Sequence, residues 1–375
     1  QSLTFTRGYV PSSLCCPSLA SIITGLYPHQ HKVTSNDPPM PPGMSGREFY
    51  QSAAFRQGRE TMIRHLENVP TLPRLLADRG YLSLQTGKWW QGEYRRGGFT
   101  HGMTRGERHG DQGLEIGRKT MQPIDDFMAS AVADHKPFFV WYAPLLPHEP
   151  HEPPARLLEK YHDQAPSPHV ARYWAMVEWL DETVGQLLDR LDREGLAQNT
   201  IVVYLADNGW IQKPASAGYA PKSKQSPYDG GLRTPIMIRW PGRVEPRVAH
   251  ELAMSIDLAP TLLTAVGSSP TAAMQGINLL DDAMVKRRHH ICGECFTHNA
   301  VDLDNPAANL RWRWIIDGDW KLIVPDASHE PHAKVELYNL VLDPQETNEL
   351  SRREPETIAR LQTELDAWWN PAADR

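Results

Sequence analysis

The spacing of hydrophobic positions over the first two thirds of the chain predicts strands that alternate with helices. Residues 137–142 form a continuous apolar run, as expected of a strand buried on both faces, and residues 200–205 give the clearest strand pattern. In residues 170–194, apolar positions recur at helical spacing. Further strands are predicted at 4–10, 81–86 and 236–240, and further helices at 71–80 and 123–135. This order predicts an α/β fold with a mostly parallel sheet sandwiched by helices.

The pattern changes near residue 268, where a connecting segment leads into short strands separated by turns. A run of neighbouring short strands predicts a small antiparallel α+β unit. We therefore expect an N-terminal α/β domain over residues 1–270 and a C-terminal antiparallel subdomain over residues 271–375. The strands of the second unit are predicted at 291–296, 312–316, 321–324 and 335–338, and its closing helix at 355–369.

The junction at Cys15-Cys16-Pro17 is the stretch most suggestive of chemistry. A helical pattern follows it and ends at Gly25, and proline is favoured at the first position of a helix. A cysteine at that junction meets the free N–H groups and the positive dipole end of the helix, which favours the thiolate and suits a bound anion. The alternative is a buried packing pair, because free cysteine behaves as a small apolar residue.

Composition and charge limit the class of protein. Of the 375 residues, 40% are hydrophobic and 22% charged, and the net charge of -6 argues against a general binder of nucleic acid or anionic membranes. No apolar run approaches the length of a membrane span, and no signal peptide is recognisable. Cys292 and Cys295 are expected to pack on a strand, because one C-x-x-C pair is weak evidence for metal or redox chemistry. The chain begins as if at the edge of a folded strand, so we expect further residues upstream.

Polar side chains follow three of the predicted strands, at the ends where open α/β sheets place ligand contacts. Lys88 follows one strand, and His148 lies in a proline-rich segment after another. Asp207 and Asn208 follow residues 200–205, and their oxygens suit a hard cation such as Ca²⁺ or Mg²⁺. Taken singly, each has an ordinary alternative: a surface lysine, or an Asn-Gly turn.

Taken together, these motifs resemble those of the sulfatase family, in that family's order and along nearly the whole chain. The first set comprises Cys15-x-Pro17-Ser18, Thr24-Gly25, Gly87-Lys88-Trp89 and Pro147-His148-x-Pro150. The second comprises Asp207-Asn208-Gly209, Lys224 with Gly230-Gly231-x-Arg233-x-Pro235, Asp257-Leu258-Ala259-Pro260-Thr261 and Glu336-Leu337-Tyr338-Asn339-Leu340. The sequence around Cys15 and the segment Tyr27-Pro28-His29-x-His31 look most like those of the branch acting on sulfated sugars, including glucosamine-6-sulfatases.

The resemblance implies an alkaline-phosphatase-like fold, with a catalytic α/β domain and a smaller C-terminal antiparallel subdomain. It also implies hydrolysis of a sulfate ester, after Cys15 is oxidised to formylglycine by a formylglycine-generating or other sulfatase-maturing enzyme. The hydrated formylglycine would present a hydroxyl as the nucleophile. Lys88 and Lys224 would offset the charge on the sulfate oxygens, and His148 would contact the leaving-group oxygen or act as an acid.

A divalent cation is implied as well, Ca²⁺ by family with Mg²⁺ as the alternative, held by Asp207, Asn208 and the modified Cys15. In the family, a pair of aspartates on a strand upstream of the cysteine completes this site. No counterpart precedes Cys15 in this sequence. Asp207 and Asn208 alone are a poor Ca²⁺ site, because the ion takes about six to eight oxygen ligands.

The expected substrate is a sulfated carbohydrate, which Trp90, His151 and His31 would contact. A ring at Trp90 would stack on a sugar face. For His31, a solvated loop histidine without a role is the alternative. Nucleic acid is not expected as a partner, and by family habit the protein would be periplasmic or secreted.

Two departures from the family pattern keep other functions open. Leu19 stands where the family carries an arginine that supports both cysteine oxidation and the site, and Trp90 stands where the family carries a histidine. One alternative is a catalytically silent relative that binds sulfated glycans, which Leu19 favours. The other is a phosphate or phosphonate ester hydrolase on the same fold.

Overall fold

The computed structural model describes residues 1–373 of the chain. The strands in that range are β1 (Leu3–Tyr9), β2 (Leu82–Gly87), β3 (His101–Gly102), β4 (Phe138–Ala143), β5 (Val202–Tyr204), β6 (Ile236–Arg239), β7 (Arg247–Met254), β8 (His290–Phe296), β9 (Leu310–Asp317), β10 (Trp320–Pro325) and β11 (Glu336–Asn339). The helices are α1 (Cys15–Thr24), α2 (Pro28–His31), α3 (Gly46–Gln51), α4 (Ala53–Glu67), α5 (Leu72–Ala77), α6 (Gln122–Ala133), α7 (Ala155–Tyr161), α8 (Pro168–Arg193), α9 (Asp229–Leu232), α10 (Leu258–Ala265), α11 (Asp282–Arg287) and α12 (Pro355–Trp368). The strands and helices predicted from the sequence pattern are present, with ends that move by a few residues.

The α/β part contains two groups of strands, in the orders β5-β6-β1-β7 and β3-β2-β4. In the second group β2 pairs in parallel with both neighbours, and β1 pairs in parallel with β7. Strand β6 differs from the expectation, because it runs antiparallel to both β1 and β5. The segment from β5 to β6 holds only the four-residue α9, and a parallel crossover is usually made by a longer helix. The observed sheet is therefore mixed.

The later strands form a separate antiparallel sheet in the order β11-β10-β9-β8, as the sequence pattern predicts. Helix α12 covers it, with Leu361 and Leu365 packing against Ile315, Leu322 and Leu337. Cys292 and Cys295 are buried on β8 and form no disulfide, so they act as packing residues. In residues 1–373, no helix combines the length and apolar character needed to cross a lipid bilayer.

Helix α1 is buried along its whole length. It begins at Cys15 and not at Pro17, which is its third residue, because the first turn of a helix needs no N–H donors from its own residues. Gly25 ends the helix in the left-handed conformation, at φ 69°, as predicted. Leu19 is 6% exposed and belongs to the main hydrophobic core.

Candidate active site

Three chain segments that are distant in sequence meet at the first turn of α1. Cys15 contributes its thiol, Lys88 follows β2, and Asp207 and Asn208 follow β5. The Cys15 Sγ donates to the Asn208 Oδ1 at 3.4 Å, and the Lys88 Nζ lies 2.7 Å from the Asp207 Oδ2. The structure thus brings together a thiol, a cation and two oxygen-bearing side chains.

The turn that delivers Lys88 depends on Gly87. Its φ is +73°, and a Cβ at this position would lie 1.9 Å from the carbonyl oxygen of Ala143. The Lys88 N–H donates to that same carbonyl at 2.6 Å. Only glycine combines this left-handed conformation with so close an approach, so this turn requires glycine at position 87.

The Lys88–Asp207 pair stays ionised despite its burial. Burial lowers the pKa of Lys88, but the Asp207 carboxylate and Cys15 outweigh it and raise the pKa overall. Burial raises the pKa of Asp207, and the charges of Lys88 and Lys224 more than reverse this, so its pKa falls. Each charge therefore holds its partner in the ionised state.

The loop that carries His148 is held by the half-buried guanidinium of Arg118. Arg118 donates from Nε to the carbonyl of Leu145 at 2.8 Å and from Nη2 to the carbonyl of His148 at 2.8 Å. The peptide bonds before Pro147 and Pro150 are cis. A donor that bonds successive carbonyls fixes the path of a segment that has no regular secondary structure.

His148 is neutral near pH 7. Burial, followed by the charges of Lys88 and Lys224, lowers its pKa to about 4. Its Nδ1 lies 2.8 Å from the carbonyl oxygen of Glu149, which only accepts hydrogen bonds, so Nδ1 carries the hydrogen. The Nε2 atom is left to exchange protons with a ligand.

Lys224 lies beside an aromatic cluster next to these groups. Its Nζ is 5.7 Å from the centre of the Trp210 ring, and no carboxylate pairs with it in residues 1–373. The His151 ring is 5.9 Å from Trp210, and the Tyr219 ring is 5.1 Å from it. The His151 Nε2 is buried and has no hydrogen-bond partner within the described part of the chain. An unpaired ammonium beside aromatic rings suits an anionic ligand.

Two residues expected to contact substrate are not placed to do so. His31 is 1% exposed and shares a 3.0 Å hydrogen bond between its Nε2 and the Ser21 hydroxyl. Trp90 is also 1% exposed, so no ring face is open for stacking on a sugar. Its ring lies against the guanidinium of Arg108, at 4.7 Å, and perpendicular to the ring of His109. Both are packing residues in this structure, since buried aromatic rings cannot be reached by a sugar.

The burial of His31 has a measurable consequence for stability. Its pKa is lowered from 6.5 to about 3, chiefly by burial, so the unfolded chain binds a proton that the folded chain resists. As pH falls below 6.5 towards 3, this residue is expected to reduce the free energy of unfolding by about 1.4 kcal/mol per pH unit. In chemical denaturation from pH 7 to 4.5, His31→Gln should give a shallower pH dependence than wild type. His332→Gln, at an exposed position, is the control, and parallel curves for His31→Gln and wild type would contradict the assignment.

His109 lies in this region and was missed by the sequence analysis. Its ring centre is 4.3 Å from that of Trp90 and 6.0 Å from that of His148. The only local signal was the glycine-rich polar run around it, of which Gly110 is part, and such a run more often marks an ordinary turn. Arg118 gave no local signal, because its role depends on carbonyls some thirty residues later in the chain.

The described residues do not by themselves make a calcium site. Residues 1–373 contain no group of three or more His, Cys, Asp or Glu side chains arranged to hold a metal ion. Asp207 and Asn208 supply oxygens, but one Asp207 oxygen is taken by the Lys88 ammonium. Ca²⁺ takes about six to eight oxygen ligands, so this donor set is too small.

The chain matches known proteins both in its fold and in its sequence. Solved structures with matching folds include a putative sulfatase from Bacteroides fragilis, and the fold is of the alkaline-phosphatase-like class. The family model described as Sulfatase matches residues 1–268, and that described as N-sulphoglucosamine sulphohydrolase, C-terminal, matches residues 222–369. The chain therefore belongs to the sulfatase family.

Curated relatives are about a quarter identical to the chain over the residues that align. Human arylsulfatase A is 29% identical over 330 residues, which cover 74% of this chain and 60% of the relative. Human N-acetylglucosamine-6-sulfatase is 25% identical over 337 residues, covering 74% of this chain and 58% of the relative. The chain thus spans less than two thirds of the length of these curated relatives.

Two solved structures illustrate the range of chemistry found on this fold. BT4656, in complex with its substrate D-glucosamine-2-N,6-O-disulfate, matches with a TM-score of 0.75 at 18% identity, covering 100% of this chain and 91% of that one. The phosphonate monoester hydrolase SpPMH from Silicibacter pomeroyi matches with a TM-score of 0.68 at 18% identity, covering 97% and 87%. At this identity the likeness is one of fold.

Proposed function

We propose that this sulfatase-family chain hydrolyses a sulfate ester on a sulfated carbohydrate, with position 15 as the nucleophile. The observation that carries the proposal is the meeting of Cys15, Lys88, Asp207 and Asn208 at the N-terminal end of α1. A sulfate ester carries negative charge on oxygens that a helix N-terminus and fixed ammonium groups stabilise. Lys88 and Lys224 supply those ammonium groups.

Oxidation of Cys15 to formylglycine, by a formylglycine-generating or other sulfatase-maturing enzyme, would supply an aldehyde hydrate with one hydroxyl to attack sulfur and a second to release sulfate. The chain's own residues then position and charge the site. Asn208 orients position 15 through its Oδ1, and Lys88 is held between Asp207 and position 15. Because the Lys88–Asp207 pair is ionised before substrate arrives, no reorganisation is needed when charge develops on the sulfate.

In this proposal, His148 transfers a proton through its Nε2 atom. A sulfate anion between Lys88 and Lys224 offsets the two charges that lower the pKa of His148. Binding therefore raises the proton affinity of Nε2, which takes up a proton and passes it to the leaving alcohol oxygen. The hydrogen bond from Nδ1 to the Glu149 carbonyl keeps the ring in the tautomer that this transfer requires.

A sugar substrate is supported by the aromatic cluster of Trp210, Tyr219 and His151 beside Lys224. Sugars bind against aromatic faces flanked by polar groups. The names of two similar proteins, one an N-acetylglucosamine-6-sulfatase and the other bound to a disulfated glucosamine, favour an amino sugar. We also propose that the protein is periplasmic or secreted, because sulfated glycans are found outside the cell.

The test combines mass spectrometry with a substrate panel. Protein produced with and without a sulfatase-maturing enzyme is digested, and the peptide containing residue 15 is examined for thiol or aldehyde. Both preparations, with Cys15→Ala as control, are then assayed on aryl sulfate, sulfated glucosamines, an aryl phosphate and a phosphonate ester. We expect sulfate-ester turnover only where the aldehyde is present. A protein that carries the aldehyde but does not hydrolyse any sulfate ester would contradict the proposal.

A catalytically silent relative that binds sulfated glycans is the second candidate, and Leu19 favours it. Its side chain is buried in the core beneath Cys15, so α1 offers no cation to the first turn at that position. This candidate predicts an unmodified thiol at Cys15 and binding of sulfated glycans without turnover. Turnover of the phosphonate ester in the same panel would instead indicate the chemistry of the phosphonate hydrolase neighbour.

A further inference from the structure

His109 is held in place by a strained and well-braced loop. His109, Gly110 and Asp111 have φ values of 71°, 120° and 40° in succession. The Asp111 carboxylate accepts the backbone N–H groups of Arg105, Gly106 and Glu107, and these bonds close the loop. Positive φ at a residue other than glycine costs about 1 kcal/mol or more and persists only where surrounding contacts enforce it.

The same loop packs directly on the turn that carries Lys88. A Cβ on Gly110 would lie 2.5 Å from the carbonyl oxygen of Gly87, and the Trp89 N–H donates to the His109 carbonyl at 2.9 Å. The His109 ring is thereby fixed between Trp90 and His148, with ring-centre distances of 4.3 Å and 6.0 Å. Its position relative to the candidate active site is set by backbone contacts on both sides.

A neighbouring arginine sets the tautomer of this ring. The Arg108 Nη1 lies 3.0 Å from the His109 Nε2, and a guanidinium only donates, so Nε2 accepts and the neutral ring carries its hydrogen on Nδ1. Arg108 is itself held by Asp37, through contacts of 2.8 Å from Nε to Oδ1 and from Nη2 to Oδ2. The His109 Nδ1 contacts the same nitrogen, Arg108 Nη1, at 3.5 Å, and that nitrogen cannot accept a hydrogen bond. Within the described part of the chain, the Nδ1 hydrogen therefore has no acceptor.

The ring remains neutral because it is withdrawn from solvent and, secondarily, because cations surround it. Burial, followed by Arg108, Lys88, His148 and Lys224, lowers the pKa of His109 to about 2. Two of these neighbours, Lys88 and Lys224, are the ammonium groups assigned above to the sulfate. The His109 ring is partly buried. A ring N–H without an acceptor in the described residues, beside ammonium groups that attract an anion, is satisfied when an anion's oxygen accepts from it.

We propose that His109 binds the substrate's sulfate group, donating from Nδ1 to a sulfate oxygen, with Arg108 and Asp37 as positioning residues that fix this donor. The inference deepens the proposed function and rests on it for the identity of the anion. It adds to Lys88 and Lys224 a neutral donor whose direction is set by the loop of residues 108–113. Nothing in the local sequence marks His109 for this role.

The test compares His109→Asn with His109→Gly, and inorganic sulfate is the probe. Both replacements tolerate a positive φ, but only asparagine offers an amide N–H near the place of Nδ1. By calorimetric titration in the Cys15→Ala background, we expect His109→Gly to weaken sulfate binding about tenfold or more and His109→Asn to stay within about threefold. Their thermal midpoints should agree with each other, which separates loss of the donor from loss of the loop.

Equal sulfate affinity of His109→Gly and the parent, or of the two variants with each other, would overturn the inference. So would a parent protein that binds no sulfate. In the fully matured protein, the same pair should differ in kcat/KM for a sulfate ester in the same order. If the matured protein binds sulfate but turns over no sulfate ester, the proposed function fails, while the role of His109 is still decided by the binding comparison.

Discussion

Replacing Lys224 with alanine is expected to lower kcat/KM for a sulfate ester by about 100- to 1,000-fold, because it removes a fixed cation from the site of developing charge. Lys224 pairs with no carboxylate in the described residues, so its loss leaves no charge stranded, and the thermal midpoint should stay close to that of wild type. The pKa of His148, now about 4, should also rise towards 6.5, since Lys224 is one of the charges that lower it. Enzyme kinetics, thermal unfolding and histidine NMR titration measure these three outcomes.

Lys222→Ala is the matched control for this prediction. It removes the same charge two residues away, but the Lys222 ammonium donates to the Glu346 carbonyl and lies 4.4 Å from the centre of the Tyr228 ring. We expect its kcat/KM to stay within a few-fold of wild type, since a charge that already has partners adds little at the site. Near-normal turnover by Lys224→Ala, or equal losses in the two variants, would reject the sulfate-binding role of Lys224.

The elements that the sequence predicts well are those whose signals are local. Gly25 ends α1 because a left-handed cap favours glycine, and the strand at residues 138–143 is a continuous apolar run. Lys88 and Asp207 both follow predicted strands, at the ends where open α/β sheets place ligand contacts, although β2 and β5 lie in separate groups of strands. The family resemblance is confirmed by the match of the Sulfatase model to residues 1–268.

What the sequence does not predict depends on contacts between distant segments. His31 and Trp90 lie in polar, loop-like surroundings in the sequence, yet each is 1% exposed, because His31 bonds to Ser21 of α1 and Trp90 packs against Arg59 of α4. The backbone of β6 runs opposite to the expected direction, since strand direction depends on how the preceding loop returns. His109 gains its place from the carboxylate of Asp111 and the turn at Gly87, and no periodicity carries that information.

A buried ion cluster joins the C-terminal sheet to the loop beneath the candidate active site. Lys321 of β10 is fully buried, and its Nζ lies 2.9 Å from the Asp229 Oδ1 and 2.8 Å from the Glu346 Oε1. The second Asp229 oxygen accepts from the Tyr9 hydroxyl at 3.0 Å, and the Glu346 Oε2 accepts from the Asp229 N–H at 2.7 Å. Burial raises the pKa of Glu346, while the two carboxylates raise the pKa of Lys321 against the effect of burial.

The Lys321→Met variant is expected to lose about 3–5 kcal/mol of unfolding free energy, because it leaves two buried carboxylates without their shared cation. The triple variant Lys321→Met, Asp229→Asn, Glu346→Gln should recover much of that loss, since no uncompensated charge then remains. Lys334→Met, at an exposed position just before β11, is the control for removal of a lysine from the same region. Chemical denaturation measures all three, and a single Lys321→Met variant as stable as Lys334→Met would contradict the expectation.

The Lys321→Met variant should also lower activity, through helix α9, which begins at Asp229. The Gly209 N–H donates to the Gly231 carbonyl at 2.8 Å, and a Cβ on Gly209 would lie 2.2 Å from the Gly230 carbonyl oxygen. The turn at Asp207 and Asn208 therefore rests on a loop that is fixed to the second sheet by Lys321. In Lys321→Met we expect kcat to fall at temperatures where the protein is still folded, and the triple variant to restore stability more completely than kcat. The antiparallel sheet would then hold the candidate active site in place without contributing a group to it.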